Sequence, residues 1–112
     1  MNANPLLKGT LQTIILKLLE DNDRMYGYEI TQKVKEVTKG EIVLTQGALY
    51  PALHKLEADG LLETSTETVD NRVRKYYQLT EEGEKDVVDK MVEAQNFINN
   101  LQSILNLKPQ FL

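Results

Sequence analysis

Cysteine and tryptophan are absent from the chain, and histidine occurs only once, as His54. Without cysteine there are no disulfides, no thiolate nucleophile and no cysteine-ligated metal, a composition that fits a reducing cytoplasm but would fit other compartments too. With one histidine a metal site would have to be built from carboxylates, and no carboxylate spacing resembles one. No apolar run follows basic residues at the amino end, and none approaches the roughly 20 residues needed to cross a bilayer, so neither secretion nor a membrane location is expected. The sequence also has no Gly-rich phosphate loop, no nucleophile elbow and no histidine set among a serine and an acid. The expectation is therefore a protein that is not an enzyme and needs no cofactor.

Positive charge is scarce too: 13 Lys and Arg face 17 Asp and Glu, for a net charge of −4. The distribution matters more than the sum. Residues 1–40 carry six basic and five acidic side chains, residues 41–80 four and six, and residues 81–112 three and six. If the chain binds nucleic acid, it must do so with a few placed cations and two-fold repetition, because non-specific affinity grows with the number of neutralised phosphates.

What is present is enough for one domain: 112 residues, 41% hydrophobic, can bury one modest core. Asn4-Pro5 reads as a helix start, and Leu7, Leu11, Ile14, Ile15, Leu18 and Leu19 keep a helical period through Glu20. Gly9 costs that helix about 1 kcal/mol relative to alanine, so its first turn is loosely held or it begins again at Thr10. After a polar turn from Asp21 to Arg24, a second helix is expected from Met25 or Tyr26, with Tyr26, Ile30, Val34 and Val37 inward, ending at Gly40. Glu41 to Leu44 reads as an extended linker or a minor strand.

The stretch from Thr45 to Leu62 is the centre of the pattern. Leu49, Leu53 and Leu56 fall on one side of a helix closed by Gly60, and Gly47, Pro51, His54, Lys55 and Ala58 fall on the other. An outward face of small residues beside Tyr50, His54 and Lys55 is built for close approach, and nucleic acid is the first candidate. Pro51 removes one backbone hydrogen bond, to the Gly47 carbonyl, near enough to the start that a tilt is expected and not a break. His54 on such a face is either an ordinary exposed histidine or a DNA contact.

Leu61 to Thr80 alternates as a hairpin with its turn near Val69-Asp70-Asn71. Three of the four cations between residues 41 and 80 lie on its second strand: Arg72, Arg74 and Lys75. They either reach DNA or pair across the hairpin with Glu63 and Glu67. Tyr76 and Tyr77 point to opposite faces, one into the core and one free to stack on the last helix or meet a partner. Three helices followed by a hairpin is the winged-helix order.

Thr80 can cap a last helix whose first turn, Glu81, Glu82 and Glu84, suits the positive end of the helix dipole. Val87, Met91, Ala94, Ile98, Leu101 and Leu105 then follow at spacings of 4, 3, 4, 3 and 4, a heptad seam. A helix from Glu81 to about Leu105, stopped by Pro109, would be roughly 37 Å long at 1.5 Å per residue, too long for so small a domain to cover. A second copy is the simplest cover. Met91 and Phe97 either pack or line a small-molecule pocket at that interface. The expected fold is mainly α with a small β-hairpin: a winged helix-turn-helix DNA-binding domain over residues 1–80, and a long carboxyl-terminal dimerisation helix and tail over residues 81–112, in one structural unit.

Four short pieces, in this order, carry a family resemblance: Leu-Lys-Gly-Thr-Leu at 7–11, Tyr-Gly-Tyr-Glu-Ile at 26–30, Gly-Ala-Leu-Tyr-Pro-Ala-Leu at 47–53 with Leu56-Glu57 and Gly-Leu-Leu from 60, and Arg-Lys-Tyr-Tyr-Gln-Leu-Thr at 74–80. The chain resembles the PadR family of bacterial transcriptional regulators, in its short-tailed members. The resemblance implies a cytoplasmic homodimeric repressor of nearby genes, bound to double-stranded DNA and relieved by a small ligand, in the family a phenolic acid or drug-like aromatic effector. By position, Thr45, Gln46, Gly47, Tyr50 and Pro51 would enter the major groove, and Arg72 to Lys75 would lie in the wing. This chain departs from many relatives in having Asp70-Asn71-Arg72-Val73 where they carry a Gly-Arg-Pro step, which leaves the path of the wing open. It also lacks the tryptophan that some drug-binding relatives use at the dimer centre. The alternative reading is a winged-helix protein-interaction module that has lost DNA binding; a ligand carrier is a weaker third.

Overall fold

Apolar periodicity decides which side of each helix is covered, and the computed structural model, which describes residues 5–108, follows it closely. The elements run α1 (Pro5–Lys8), α2 (Leu11–Asp21), β1 (Met25–Tyr26), α3 (Gly27–Val37), α4 (Gln46–Ala58), β2 (Leu62–Val69), β3 (Arg72–Leu79) and α5 (Glu81–Leu105). The strands form one antiparallel sheet in the order β1-β3-β2. The fold is a winged helix, mainly α with a small sheet and a long last helix.

The first helix breaks at Gly9 and begins again after Thr10, whose hydroxyl donates to the Leu7 carbonyl at 3.0 Å. The proposed cap Asn4 and the stop Pro109 lie outside the described residues. From α2, Leu11, Ile15, Leu16 and Leu19 enter the core, with Ile14 and Leu18 packed beside them.

Two expectations for the second helix are corrected. Tyr26 is not in it: Met25 and Tyr26 pair with Tyr77 and Tyr76 as a short strand, and the Tyr26 amide donates to Glu29 Oε1 at 3.0 Å, starting α3 one residue later. Val37 does not face inward but is 68% exposed, because α3 ends there and its covered side is Gly27, Ile30 and Val34. The chain turns through Thr38, Lys39 and Gly40 and runs without strand pairing to Leu44, which is buried. The Thr38 hydroxyl holds that turn, donating to the Val34 carbonyl at 2.8 Å and accepting from the Ile42 amide at 3.0 Å.

The hairpin closes in two residues. Asp70 and Asn71 both take positive φ, 51° and 63°, the pattern whose twist matches paired strands, and both residue types tolerate it. Strand alternation then sends Tyr77 and Leu62 into the core and leaves Tyr76 and Arg74 on the opposite face. Neither Glu63 nor Glu67 takes a wing cation. Glu63 accepts from Gln78 Nε2 at 2.9 Å, and Glu67 pairs with Arg24.

Thr80 caps α5 through the Gly83 amide at 3.0 Å, and its own hydroxyl donates to the Gly60 carbonyl at 2.7 Å. The helix ends on Asn106, at φ 57°, a left-handed cap. Its start is pressed against the hairpin base: a Cβ on Gly83 would stand 2.1 Å from the Leu61 carbonyl oxygen. One seam residue is reassigned. Val87 is fully buried in the core and Met91 is packed against it, so the part of the seam beyond the core begins at Ala94.

Gly83→Ala is expected to lower stability by about 2 to 3 kcal/mol, since only backbone movement can relieve the overlap, whereas Gly9→Ala, which meets nothing within 4 Å, is expected to be neutral or mildly stabilising. Urea titrations of the two variants test the contrast. Burial also raises the pKa of the Tyr77 phenol above its ordinary 10.0. The folded state then holds that proton more tightly than the unfolded chain, so stability is fully present below pH 10 and is lost as pH rises further. Tyr77→Phe should flatten this alkaline decline, measured as the urea midpoint against pH.

Candidate nucleic-acid interface

The interface begins with the cap that aims α4. The Thr45 hydroxyl accepts the Ala48 amide at 3.2 Å, which fixes the first turn and occupies that side chain in capping. Leu49, Leu53 and Leu56 are buried to within 1% and anchor the helix along its length. The helix runs unbroken through Pro51. Because proline has no amide hydrogen, the Gly47 carbonyl lacks its helical partner, and it lies on an exposed turn.

Of the α4 residues read as DNA contacts, Gln46, Gly47, Pro51, His54 and Lys55 are exposed and share the outer side with Ala58. Tyr50 is different. It is half-buried, and a Cβ on Gly27 would stand 2.3 Å from its hydroxyl. The bare backbone of Gly27 is thus a seat for the Tyr50 ring, and Tyr50 clamps α4 to α3. Its other side lies beside His54, with ring centroids 6.3 Å apart. Lys55 is bonded to Asp59 at 3.0 Å in an exposed i, i+4 pair, an interaction worth little in water and easily exchanged for another anion.

The strand's alternation sets Lys75 on the face opposite Arg72 and Arg74. Arg72 is exposed at the hairpin turn and makes no ion pair among the described residues. Lys75 lies on the core side of the strand, 4.0 Å from Glu57 of α4 and 5.4 Å from the Tyr77 ring centre. Arg74 lies on the other face with its guanidinium 4.1 Å from the centre of the Tyr26 ring. The Tyr76 hydroxyl, more than any other group, holds the Arg74 guanidinium above its usual, already high, pKa. Arg24, Tyr26, Gly27 and Ser65 frame this region; periodicity marks Tyr26 only as an inward helical residue, and neither periodicity nor charge marks the other three as part of a site. Tyr26 and Gly27 sit in one of the shared motifs, but Arg24 and Ser65 give no local signal.

Among the described residues no group of His, Asp and Glu is placed to hold a metal ion, and no helix is long and apolar enough to cross a membrane. Beyond Met91, which packs against the core, the seam continues through Ala94, Ile98, Leu101 and Leu105 along α5, with Phe97, Ile104 and Leu105 more than half exposed. An open groove of about 560 Å³ between α2 and α5 is lined by Ile14, Leu18, Met91, Phe97 and Ile98 among others.

Residues 15–89 match the transcriptional regulator PadR-like family. An uncharacterized protein of Lysinibacillus sphaericus is 31% identical over 103 residues, 88% of this chain and 94% of that protein. The transcriptional regulator Rv3488 of Mycobacterium tuberculosis is 41% identical over 76 residues, 68% of this chain and 67% of that protein. A solved transcriptional regulator from Clostridium thermocellum superposes with a TM-score of 0.78 at 29% identity, covering 92% of this chain and 96% of its own. A PadR family transcriptional regulator from Eggerthella lenta gives 0.74 at 27% identity, covering 90% and 82%. With the winged helix, the shared motifs and the family match over most of the described core, the chain belongs to the PadR-like family of transcriptional regulators.

Proposed function

We propose that the protein is a homodimeric repressor that binds a pseudo-palindromic operator and releases it on binding a small aromatic effector. The observation that carries DNA binding is the outer side of α4: an exposed surface of Gln46, Gly47, Pro51, His54, Lys55 and Ala58 on a helix whose opposite side is wholly buried. Small residues let the helix approach the floor of the major groove, Gln46 and His54 offer hydrogen bonds to base edges, and Lys55 meets phosphate. Arg72 and Lys75 of the wing add phosphate contacts. Two such helices, related by the α5 pairing, would enter successive major grooves roughly 34 Å apart. The groove beside Met91 and Phe97 is where an aromatic effector would alter that pairing.

Gel shifts and footprints on the DNA upstream of the protein's own gene, with and without phenolic acids, test this reading. A protected palindrome is expected at physiological salt. An absent footprint favours the alternative of a protein-interaction module. Arg72→Ala with Lys75→Ala should weaken binding to all sequences alike and reduce the slope of log affinity against log salt by about 2 per protomer; an unchanged slope removes the wing from the interface. Leu101→Lys places charge in the pairing seam beyond the domain core, so it should yield folded monomers that no longer bind the operator. Sedimentation and gel shift on the same sample decide it, and a monomer with full affinity refutes the dimer.

A further inference from the structure

The outer face of the sheet carries contacts that major-groove and phosphate binding leave unused. Tyr26 and Tyr76 are paired directly across β1 and β3, and their rings meet edge to face with centroids 5.5 Å apart. A guanidinium lies on each ring: Arg24 is 4.0 Å from the centre of Tyr76, and Arg74 is 4.1 Å from the centre of Tyr26. A ring's negative face attracts a cation, so each arginine favours the stacked position over free solvation. Arg24 also reaches β2, donating to Ser65 Oγ at 3.5 Å and pairing with the Glu67 carboxylate. Glu67 is the register partner of Arg74, and Ser65 that of Tyr76. One cluster therefore joins all three strands on the face away from the core.

The cluster also leads to the recognition helix. Tyr26 starts α3 through the hydrogen bond its backbone amide donates to the Glu29 carboxylate, and the next residue, Gly27, is the seat of the Tyr50 ring. The hairpin is held by burial only near its base, at Leu62 and Tyr77, whereas Val73 near the turn is 74% exposed. A two-stranded ribbon that overhangs its core in this way is free to swing unless something braces it. Arg74 is at the overhanging level and reaches back to Tyr26.

We propose that Arg24, Tyr76, Tyr26 and Arg74 are positioning residues, a brace that fixes the angle between the wing and α4, so that Arg74 acts through Tyr26 while Arg72 and Lys75 meet phosphate. This deepens the DNA-binding reading and rests on it for its consequence, though the brace itself exists without DNA. The test compares Tyr26→Leu, which removes the ring, with Tyr26→Phe, which keeps it, each in the native sequence and in the Arg72→Ala/Lys75→Ala background.

In the DNA-free protein, hydrogen exchange of wing amides 64–76 should rise about tenfold in Tyr26→Leu while the α2 amides stay unchanged, and Tyr26→Phe should restore the native rate. That readout stands even if no operator is found, so failure of the brace is distinguishable from failure of DNA binding. In operator binding, Tyr26→Leu should cost about tenfold in the native sequence and less than about twofold in the background lacking the wing charges, with Tyr26→Phe close to native in both. Unchanged wing exchange overturns the proposal, and so does an equal loss of affinity in the two backgrounds. Should Tyr26→Leu also raise exchange throughout α2, Arg24→Met, which removes the cation and keeps its apolar stem, carries the same comparison.

Discussion

The burial of Leu49, Leu53 and Leu56 is the constraint on which the rest of the molecule depends. Truncating any one of such leucines costs about 2 to 5 kcal/mol in a well-packed core, against a total stability of about 5 to 15 kcal/mol for a domain. That holds the axis of α4 and its rotation about that axis. Rotation matters most, because a turn of one residue, about 100°, would carry His54 and Lys55 off the outer side. Tyr50 on Gly27 is the second point of fixation. A helix fixed along one side and at one flank can present small residues to a partner, since nothing on the outer side is needed to hold it.

Most of this was legible in the chain because it obeys a single period. The Leu49 stripe, the Thr80 cap, the Glu81–Leu105 helix and the Asp70-Asn71 turn follow from spacing and local turn chemistry, and the structure agrees with them. The departures arise where a residue's partner is far away in sequence. Tyr26 fits a helical period with Ile30 and Val34, but pairing with Tyr76, fifty residues on, makes it a strand. Glu67 has Arg74 as its register neighbour, yet it takes Arg24, which reaches across from the turn after α2. Val87 fits the heptad and is claimed by its own core, because α2 covers the first turns of α5. At the interface, the exposure of Gln46, Pro51, His54 and Lys55 could be read from the helix phase alone. The inward role of Tyr50 could not, because nothing in the phase says that Gly27 lies opposite.

The scarcity of positive charge gives the geometry its importance. A strongly basic surface can tolerate a loose wing, because many cations share the phosphate contacts and a few misplaced ones matter little. Here Arg24 and Arg74 lie on tyrosine faces, Lys17 is paired with Glu20 and Asp21, and Lys33 with Glu36. Few cations remain on the α4 and wing side, so for the proposed DNA binding each must be where a phosphate will be. Interactions that order them in advance reduce the entropy lost on binding. Using two arginines for placement, as the proposed brace does, would then fit a protein of net charge −4.

The same economy applies to α5. Its first turns close the core through Val87 and Met91, after which it continues with little cover, and the molecule measures 52 Å along its longest axis against 30 and 23 Å across. Phe97, Ile98, Ile104 and Leu105 on that extension are exposed, while single exposed apolar residues elsewhere are ordinary. A row of them on one extended helix carries a standing cost in water that a second copy would remove. In the proposed dimer, pairing would also set the spacing of two α4 helices and double every phosphate contact. For a surface with so few cations, two-fold symmetry would supply the charge that the composition withholds, so on the proposed dimer the apolar extension of α5 and the sparse charge of the wing are parts of one solution.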